Sequence, residues 1–316
     1  MAVAALVFAA GAPADADSFP SRSIRVIVPA SVSTPPDIIT RIVANALSES
    51  EGWNVVVEDR PGAVQTLGAH EVLKQPADGY TILSVGVPLS AAQTLVPDIG
   101  FQLDSDFAPI VQLSESGNVL VVNPSVPVKS VAELVQYLKQ NPDKLTYSSG
   151  GFGTPAHLIG ELFKLQTGVR VTHVPYNDFP RAITDLLQGV NAYQFITVLP
   201  VLGFIKSGQL RALAVTPPKR VPQLPDVPTL AEAGYPALTN FDWVGWSARA
   251  GTPPEVIGRV NAAVNKVLKM PKVIDAFDKV GSQTVGGPPG QLGELVKSQV
   301  ALWAKVVADA GLKLQQ

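Results

Sequence analysis

Apolar and polar positions alternate along this chain in two rhythms. "SIRVIVPA" is a near-continuous apolar run and reads as a buried strand. "TPPDIITRIVANALSES" then repeats its apolar residues at helical spacing, with Thr34 at the N-cap position and Pro35 in the first turn. The strand "NVVVEDR", the helix "TLGAHEVLKQ", the strand "YTILSVG" and the helix "PLSAAQTL" follow. This βαβαβ order predicts a parallel sheet with helices on its faces. Near residues 107 to 123 the rhythm breaks: "FAPIVQLSESGNVLVVNP" holds two β-rich runs with no helix between them. Alternation restarts with helix "SVAELVQYLKQ", strand "KLTYSS", helix "PAHLIGELFKLQ" and strand "VRVTHVPY". Helix "RAITDLLQG", strand "AYQFITVL", helix "VLGFIKSG" and strand "LRALAVT" complete a second α/β unit. A proline-rich stretch leads to the β-rich "FDWVGWSARA". Two helices close the chain, "PPEVIGRVNAAVNKVLK", capped by Thr252, and "LGELVKSQVALWAKVVADAG".

The break and the late return predict two α/β lobes joined by two crossings, near residues 108–123 and 236–250, with the C-terminal helices packed back on the first lobe. Lobe 1 is expected over residues 17–115 plus 240–316, and lobe 2 over 116–239. A two-lobed body with a cleft suits small-ligand binding with hinge closure.

Composition narrows the classes. A chain of 316 residues, 46% hydrophobic, is long enough for more than one domain. A net charge of −2 with no long basic run argues against nucleic acid as a partner. The absence of cysteine excludes disulfides, thiolate metal sites and cysteine nucleophiles. "MAVAALVFAAGAPADA" is a short apolar run ending in the small-x-small triplet Ala14-Asp15-Ala16, so residues 1–16 read as the remnant of a secretory signal peptide. No Lys or Arg precedes the run, so the true start is expected upstream. A soluble, exported mature chain is expected.

Catalytic signatures are weak. "GWSAR" approaches a nucleophile elbow, but Arg249 stands where glycine is needed. The three histidines, His70, His157 and His173, form no i,i+4 pair and read as structural. Asp104 and Asp106 lack the rest of a calcium loop and read as solvated acids. No catalytic residue, metal ligand or cofactor is expected.

The chemistry gathers in two turns. In "LTYSSGGFGTPAHLIGELF", Gly150, Gly151, Gly153 and the hydroxyls of Ser148, Ser149 and Thr154 crowd the step from strand to helix. A helix start bares backbone N–H groups and carries about half a positive charge, so it suits an anion. "GFGTPA" also fits a dinucleotide fingerprint, with Asp178 as a ribose partner, but its mid-chain position makes an oxidoreductase the lesser reading. A turn that merely packs a helix on a sheet is the plain alternative. In the first lobe "ASVSTPPD" occupies the matching place, with Ser31, Ser33, Thr34 and Asp37. A hydrogen bond to a charged group contributes about 1.5–3 kcal/mol. Three or four from two facing turns total roughly 5–10 kcal/mol before ordering costs, enough for micromolar capture of a carboxylate without a cationic side chain.

At these residues the chain resembles the periplasmic solute-binding proteins of tripartite tricarboxylate transporters, often called Bug proteins. The matching pieces are "IRVIVPA…PPDIITRI", "VVVEDRPGA…TLGAHEVLKQPADGYTIL", "LTYSSGGFGTPAHLIGELF", "VTHVPYNDFPRAITDLLQG", "GQLRALAVT…RVPQLPDVPTLAEAGYP" and "WSARAGTPPEVIGRVN". They run in order from about residue 22 to the C-terminus. The resemblance implies a two-lobed α/β Venus-flytrap fold of type II character with two crossover segments. It also implies no catalysis, a periplasmic location, a small carboxylate ligand and delivery to membrane permease subunits, the receptor being a monomer. A role as sensor for a two-component system shares the same pocket. Carried onto this sequence, the ligand-binding set is Ser31, Ser33, Thr34, Asp37, Pro88, Ser149, Gly150, Gly151, Phe152, Gly153, Thr154, Asn177, Phe179 and Thr197. Three departures bear on the ligand. The family's first loop usually carries glycines where this chain has "SVSTPP"; "NDF" stands where Lys-Gly is frequent; Thr197 replaces a frequent Asp or Ser. A dicarboxylate or an aromatic acid therefore fits as well as a tricarboxylate.

Overall fold

The computed structural model describes residues 19–176 and 178–313. The expected signal-peptide remnant and Asn177 lie outside the described residues. Two sheets organise the rest. The first contains β1 (Ile24–Val28), β2 (Val55–Asp59), β3 (Thr81–Gly86), β4 (Phe107–Ser116), β10 (Asp242–Arg249) and β11 (Gln283–Thr284), in the order β11-β4-β10-β3-β1-β2. The second contains β5 (Asn118–Val122), β6 (Thr146–Ser149), β7 (Thr172–Pro175), β8 (Tyr193–Thr197) and β9 (Arg211–Val215), in the order β7-β6-β8-β5-β9.

Each sheet mixes parallel and antiparallel pairs. β1 is parallel to β2 and β3, while β10 inserts antiparallel between β3 and β4. β6 is parallel to β7 and β8, while β5 is antiparallel to β8 and β9. β1 and β3 are covered on both faces, which accounts for their unbroken apolar runs. The first sheet carries α1 (Pro35–Glu51), α2 (Thr66–Leu73) and α3 (Val87–Leu95). The second carries α4 (Val131–Gln140), α5 (Pro155–Thr167), α6 (Phe179–Leu187) and α7 (Val198–Lys206). α8 (Pro254–Val267), α9 (Pro271–Asp278) and α10 (Pro289–Asp309) close the chain. α1 and α8 pack together over the first sheet, whereas α10 lies against α3 and β4 and also reaches α5 beside the second. No helix among the described residues is long and apolar enough to cross a membrane.

The crossings are bonded to one another. β4 passes to β5 through Gly117 alone, and a Cβ there would sit 2.4 Å from Pro217 Cγ on the returning chain. Asn118 N–H donates to Thr216 Oγ1 (3.1 Å), Thr216 N–H to the Asn118 carbonyl (2.8 Å), and Asn240 N–H to the Thr216 carbonyl (3.0 Å).

Two details differ from the expectation. Thr252 does not cap α8: Pro253 holds the N-cap position, and the Thr252 hydroxyl donates to the Arg249 carbonyl at 2.7 Å. α9 and β11 also enter unannounced. The helix has eight residues, and the strand has two, held by pairing with β4.

Candidate functional site

The two turns share one backbone design. In the first, Ser33 is left-handed (φ 65°), and Thr34 is extended as the N-cap of α1. The Thr34 hydroxyl donates to the Ser31 carbonyl at 2.6 Å and its N–H to the same oxygen at 3.3 Å. In the second, Gly153 is left-handed (φ 74°), and Thr154 is extended as the N-cap of α5. Its hydroxyl donates to the Gly151 carbonyl at 2.7 Å and its N–H at 3.4 Å. Proline follows each threonine, where its missing N–H costs the helix nothing.

One helical turn later the designs diverge. Ser33 N–H donates to Asp37 Oδ2 (2.8 Å), whereas Gly153 N–H donates to His157 Nδ1 (3.1 Å). Asp37 is buried, and its other oxygen takes Arg41 Nε at 2.5 Å. Arg41 also bonds Asp59 at 2.6 Å, so one guanidinium serves two carboxylates. Burial, with the neighbouring Asp37 carboxylate, pushes Asp59 above its usual range. The first turn thus rests on an ionic base and the second on a neutral one.

That neutral base is a column of rings. Phe152 lies 4.8 Å from His157, His157 stacks on His173 at 4.2 Å, His173 on Tyr147 at 4.9 Å and Tyr147 on Tyr193 at 5.5 Å, centroid to centroid. His173 Nε2 lies 2.7 Å from Ser149 Oγ, which in turn accepts Gly151 N–H at 3.1 Å. Tyr147 donates to Glu161 at 2.6 Å, and Glu161 pairs with Lys164 at 2.8 Å. Burial, helped by the Lys164 charge, lowers His157 to about 4. Burial, with the adjacent His157, lowers His173 to about 3. Both rings are therefore neutral at pH 7, as the bond from Gly153 N–H into Nδ1 requires.

Of the other expected site residues, Phe179 approaches the second turn, while Pro88 and Thr197 are placed by α3 and β8. Both threonine hydroxyls, the Ser33 and Gly153 N–H groups and the Asp37 carboxylate are turned into their own turns. Among the described residues, the N–H groups of Val32 and Phe152, at equivalent positions, meet no protein acceptor. The Phe179 ring lies 3.8 Å from where a Gly150 side chain would begin. Pro88 stands in the first turn of α3, and Thr197 ends β8 opposite Asn118. The second turn touches the first lobe: a Cβ on Gly153 would lie 3.0 Å from Val64 Cγ1 and 3.4 Å from Leu95 Cδ1. Val64 belongs to a short turn in which Ala63, Val64 and Gln65 are all left-handed (φ 46°, 53° and 71°). Two surface cavities, about 510 Å³ along residues 93–106 and about 260 Å³ between β4 and α10, lie away from both turns. Neither gathers helix starts from both lobes, so the turns are the better candidate.

Several participants escaped the sequence reading. The shared spacing from Ser33 to Asp37 and from Gly153 to His157 was a usable signal for the residues beneath the turns. Asp242 carried none. It opens β10 opposite Ser116, and burial raises it to about 7.

The chain matches the family profile described as the tripartite tricarboxylate transporter family receptor, TctC, over residues 39–312. It is 36% identical to protein BugT of Bordetella pertussis over 306 residues, which is 96% of this chain and 94% of that protein. Among solved structures it resembles the periplasmic binding protein BugD, with a TM-score of 0.78 and 31% identity over 93% of this chain and all of the other. It also resembles R. palustris Rpa4515 with adipate, with a TM-score of 0.81 and 34% identity over 94% of this chain and all of the other.

Proposed function

The chain belongs to the tripartite tricarboxylate transporter receptor family, and from that premise we propose that this solute-binding protein captures a small carboxylate between its lobes in the periplasm for the membrane subunits of such a transporter. It acts as a monomer and performs no chemistry on its cargo. Within the expected bounds of 17–115 with 240–316 and of 116–239, the described residues make up one lobe and the other, a division supported by which sheet each strand joins.

One observation carries the reading. Two helix-start turns of the same design, one on each sheet, each leave an N–H group unspent at the equivalent position, Val32 and Phe152. A carboxylate seated between them gains charge-assisted hydrogen bonds and two helix dipoles without a cationic side chain. The rest of the ligand then runs along Pro88, Phe179 and Thr197. Adipate in the Rpa4515 neighbour favours a dicarboxylate. The fingerprint-like glycines do not favour a dinucleotide, because Asp178 is spent as the N-cap of α6, accepting Arg181 N–H at 3.4 Å.

A thermal-shift screen of ligand-free protein against mono-, di- and tricarboxylates, aromatic acids and NAD tests this. One acid at 100 times its Kd should add about 2.7 kcal/mol, a rise of several degrees in Tm. Indifference to every acid, or selective stabilisation by NAD, overturns the assignment.

A further inference from the structure

We propose that Val64 is a positioning residue for capture. From the first lobe its side chain fills the place of the one that Gly153 lacks, and so holds the anion-binding Phe152 N–H in place only while the lobes are together. The proposal rests on the carboxylate reading above and names the contact that ties that site to lobe closure.

The two turns differ at one pair of equivalent positions, Ser33 and Gly153. Ser33 carries its own side chain and is exposed, whereas Gly153 bares its backbone. Chain neighbours aside, the three atoms nearest to where a Gly153 Cβ would stand all belong to the first lobe: Val64 Cγ1 (3.0 Å), Leu95 Cδ1 (3.4 Å) and Val64 Cγ2 (3.8 Å). Both methyl groups of Val64 thus cap this glycine. Gly151 (φ 124°) and Gly153 (φ 74°) flank Phe152, so the peptide that presents its N–H has little stiffness of its own. Within the second lobe, the bond from Gly153 N–H to His157 Nδ1 restrains one side of the turn. Val64 and Leu95 supply the restraint from the other lobe.

Val64 reaches Gly153 from an uncommon backbone. Gly62, Ala63, Val64 and Gln65 all have positive φ, and Val64 itself is left-handed (φ 53°, ψ 47°) although β-branched. Such a backbone persists only where its surroundings hold it. Pro61, Gly62 and Ala63 are exposed, whereas Val64 is half-buried against the core cluster that includes Leu95. The turn rests on α2 and α3, both in the first lobe. A glycine at position 64 would make the same turn without strain, so what valine contributes there is its isopropyl group. Leu95 is fully buried in α3 and stays with its own lobe. Parting the lobes withdraws both side chains from Gly153, and the glycine-flanked peptide then loosens its hold on the anion. Closure and grip are one event, and the step that Val64 governs is release.

Stopped-flow and calorimetric binding on the full chain test this, with adipate, tricarballylate and benzoate as probes. For the acid that binds, Val64→Ala and Val64→Gly should each speed release by about tenfold, as expected for two methyl groups that lose their contact, with association little changed. The two variants differ in backbone strain, so equal effects assign the loss to the side chain. Val64→Thr, which keeps the branched shape, should release as wild type does. At saturating acid, the Phe152 amide should exchange its hydrogen faster in Val64→Ala than in wild type. Unchanged release in Val64→Ala and Val64→Gly overturns the proposal, even where the ligand-free Tm falls, because Val64 then only packs its own lobe. Fast release in Val64→Ala with wild-type release in Val64→Gly assigns the effect to the backbone and overturns it as well. If wild type binds none of the probes, the carboxylate reading falls and this proposal with it.

Discussion

Acid should loosen this protein chiefly from beneath the second turn. His157 is buried and titrates near 4, and the partly buried His173 near 3, whereas an unfolded histidine titrates near 6.5. Between about pH 6.5 and 4 the unfolded chain binds more protons than the folded one. Stability therefore falls as pH falls through that window, and the loss is absent above it. At about pH 5 each ring costs roughly 1.5 pH units at 1.36 kcal/mol per unit, or about 2 kcal/mol. Allowing for the partial exposure of His173, the pair costs about 3–4 kcal/mol, a large share of a typical folding free energy of about 5–15 kcal/mol. The control is the double variant His157→Asn with His173→Gln. The Asn oxygen can accept Gly153 N–H and the Gln amide can reach Ser149 Oγ, but neither side chain titrates. Urea denaturation at about pH 7.5 and pH 5 should show wild type losing about 3–4 kcal/mol more than the double variant. Parallel losses would refute the argument, because acid sensitivity would then belong to other groups.

Gly153→Ala should destabilise by about 1–2 kcal/mol, since a Cβ at φ 74° is strained and meets Val64 Cγ1 at 3.0 Å. In a denaturation series, adding Val64→Ala should relieve the contact but not the backbone strain. Arg41→Leu removes the cation shared by Asp37 and Asp59, leaving Asp37 buried with no ionic partner. Discounted for the exposure of Arg41, a loss of about 2–4 kcal/mol is expected by the same assay.

Much of the fold was legible because α/β units write their own punctuation. The switch from period 2 to period 3.6, with proline at helix starts, marked β1 to α3 and α4 to β9. The β-rich stretch at 107–123 marked the passage from β4 to β5, since two strands without a helix between them cannot form a parallel crossover. Insertion of β10 between β3 and β4 was not legible: its partners lie more than a hundred residues away, and no local pattern names them. At the site, helix starts and small residues announced where the turns are. They did not announce that the threonine hydroxyls fold back onto Ser31 and Gly151, or that His157 and Asp37 hold equivalent N–H groups. Those roles depend on rotamers and left-handed backbone, which periodicity does not encode.

α10 adds a constraint that two linking strands alone would not impose. It is seated on α3 and β4 yet also meets α5, so the halves are joined by a third seam besides the crossings. A jaw fastened at the back swings freely; one that also rides along a rail must glide. Any gape that admits a guest has to drag α5 over the side chains of α10, which restricts the travel to a shallow, sheared path. Shortening this helix from its C-terminal end should widen that path and speed guest exchange even where the chain still folds.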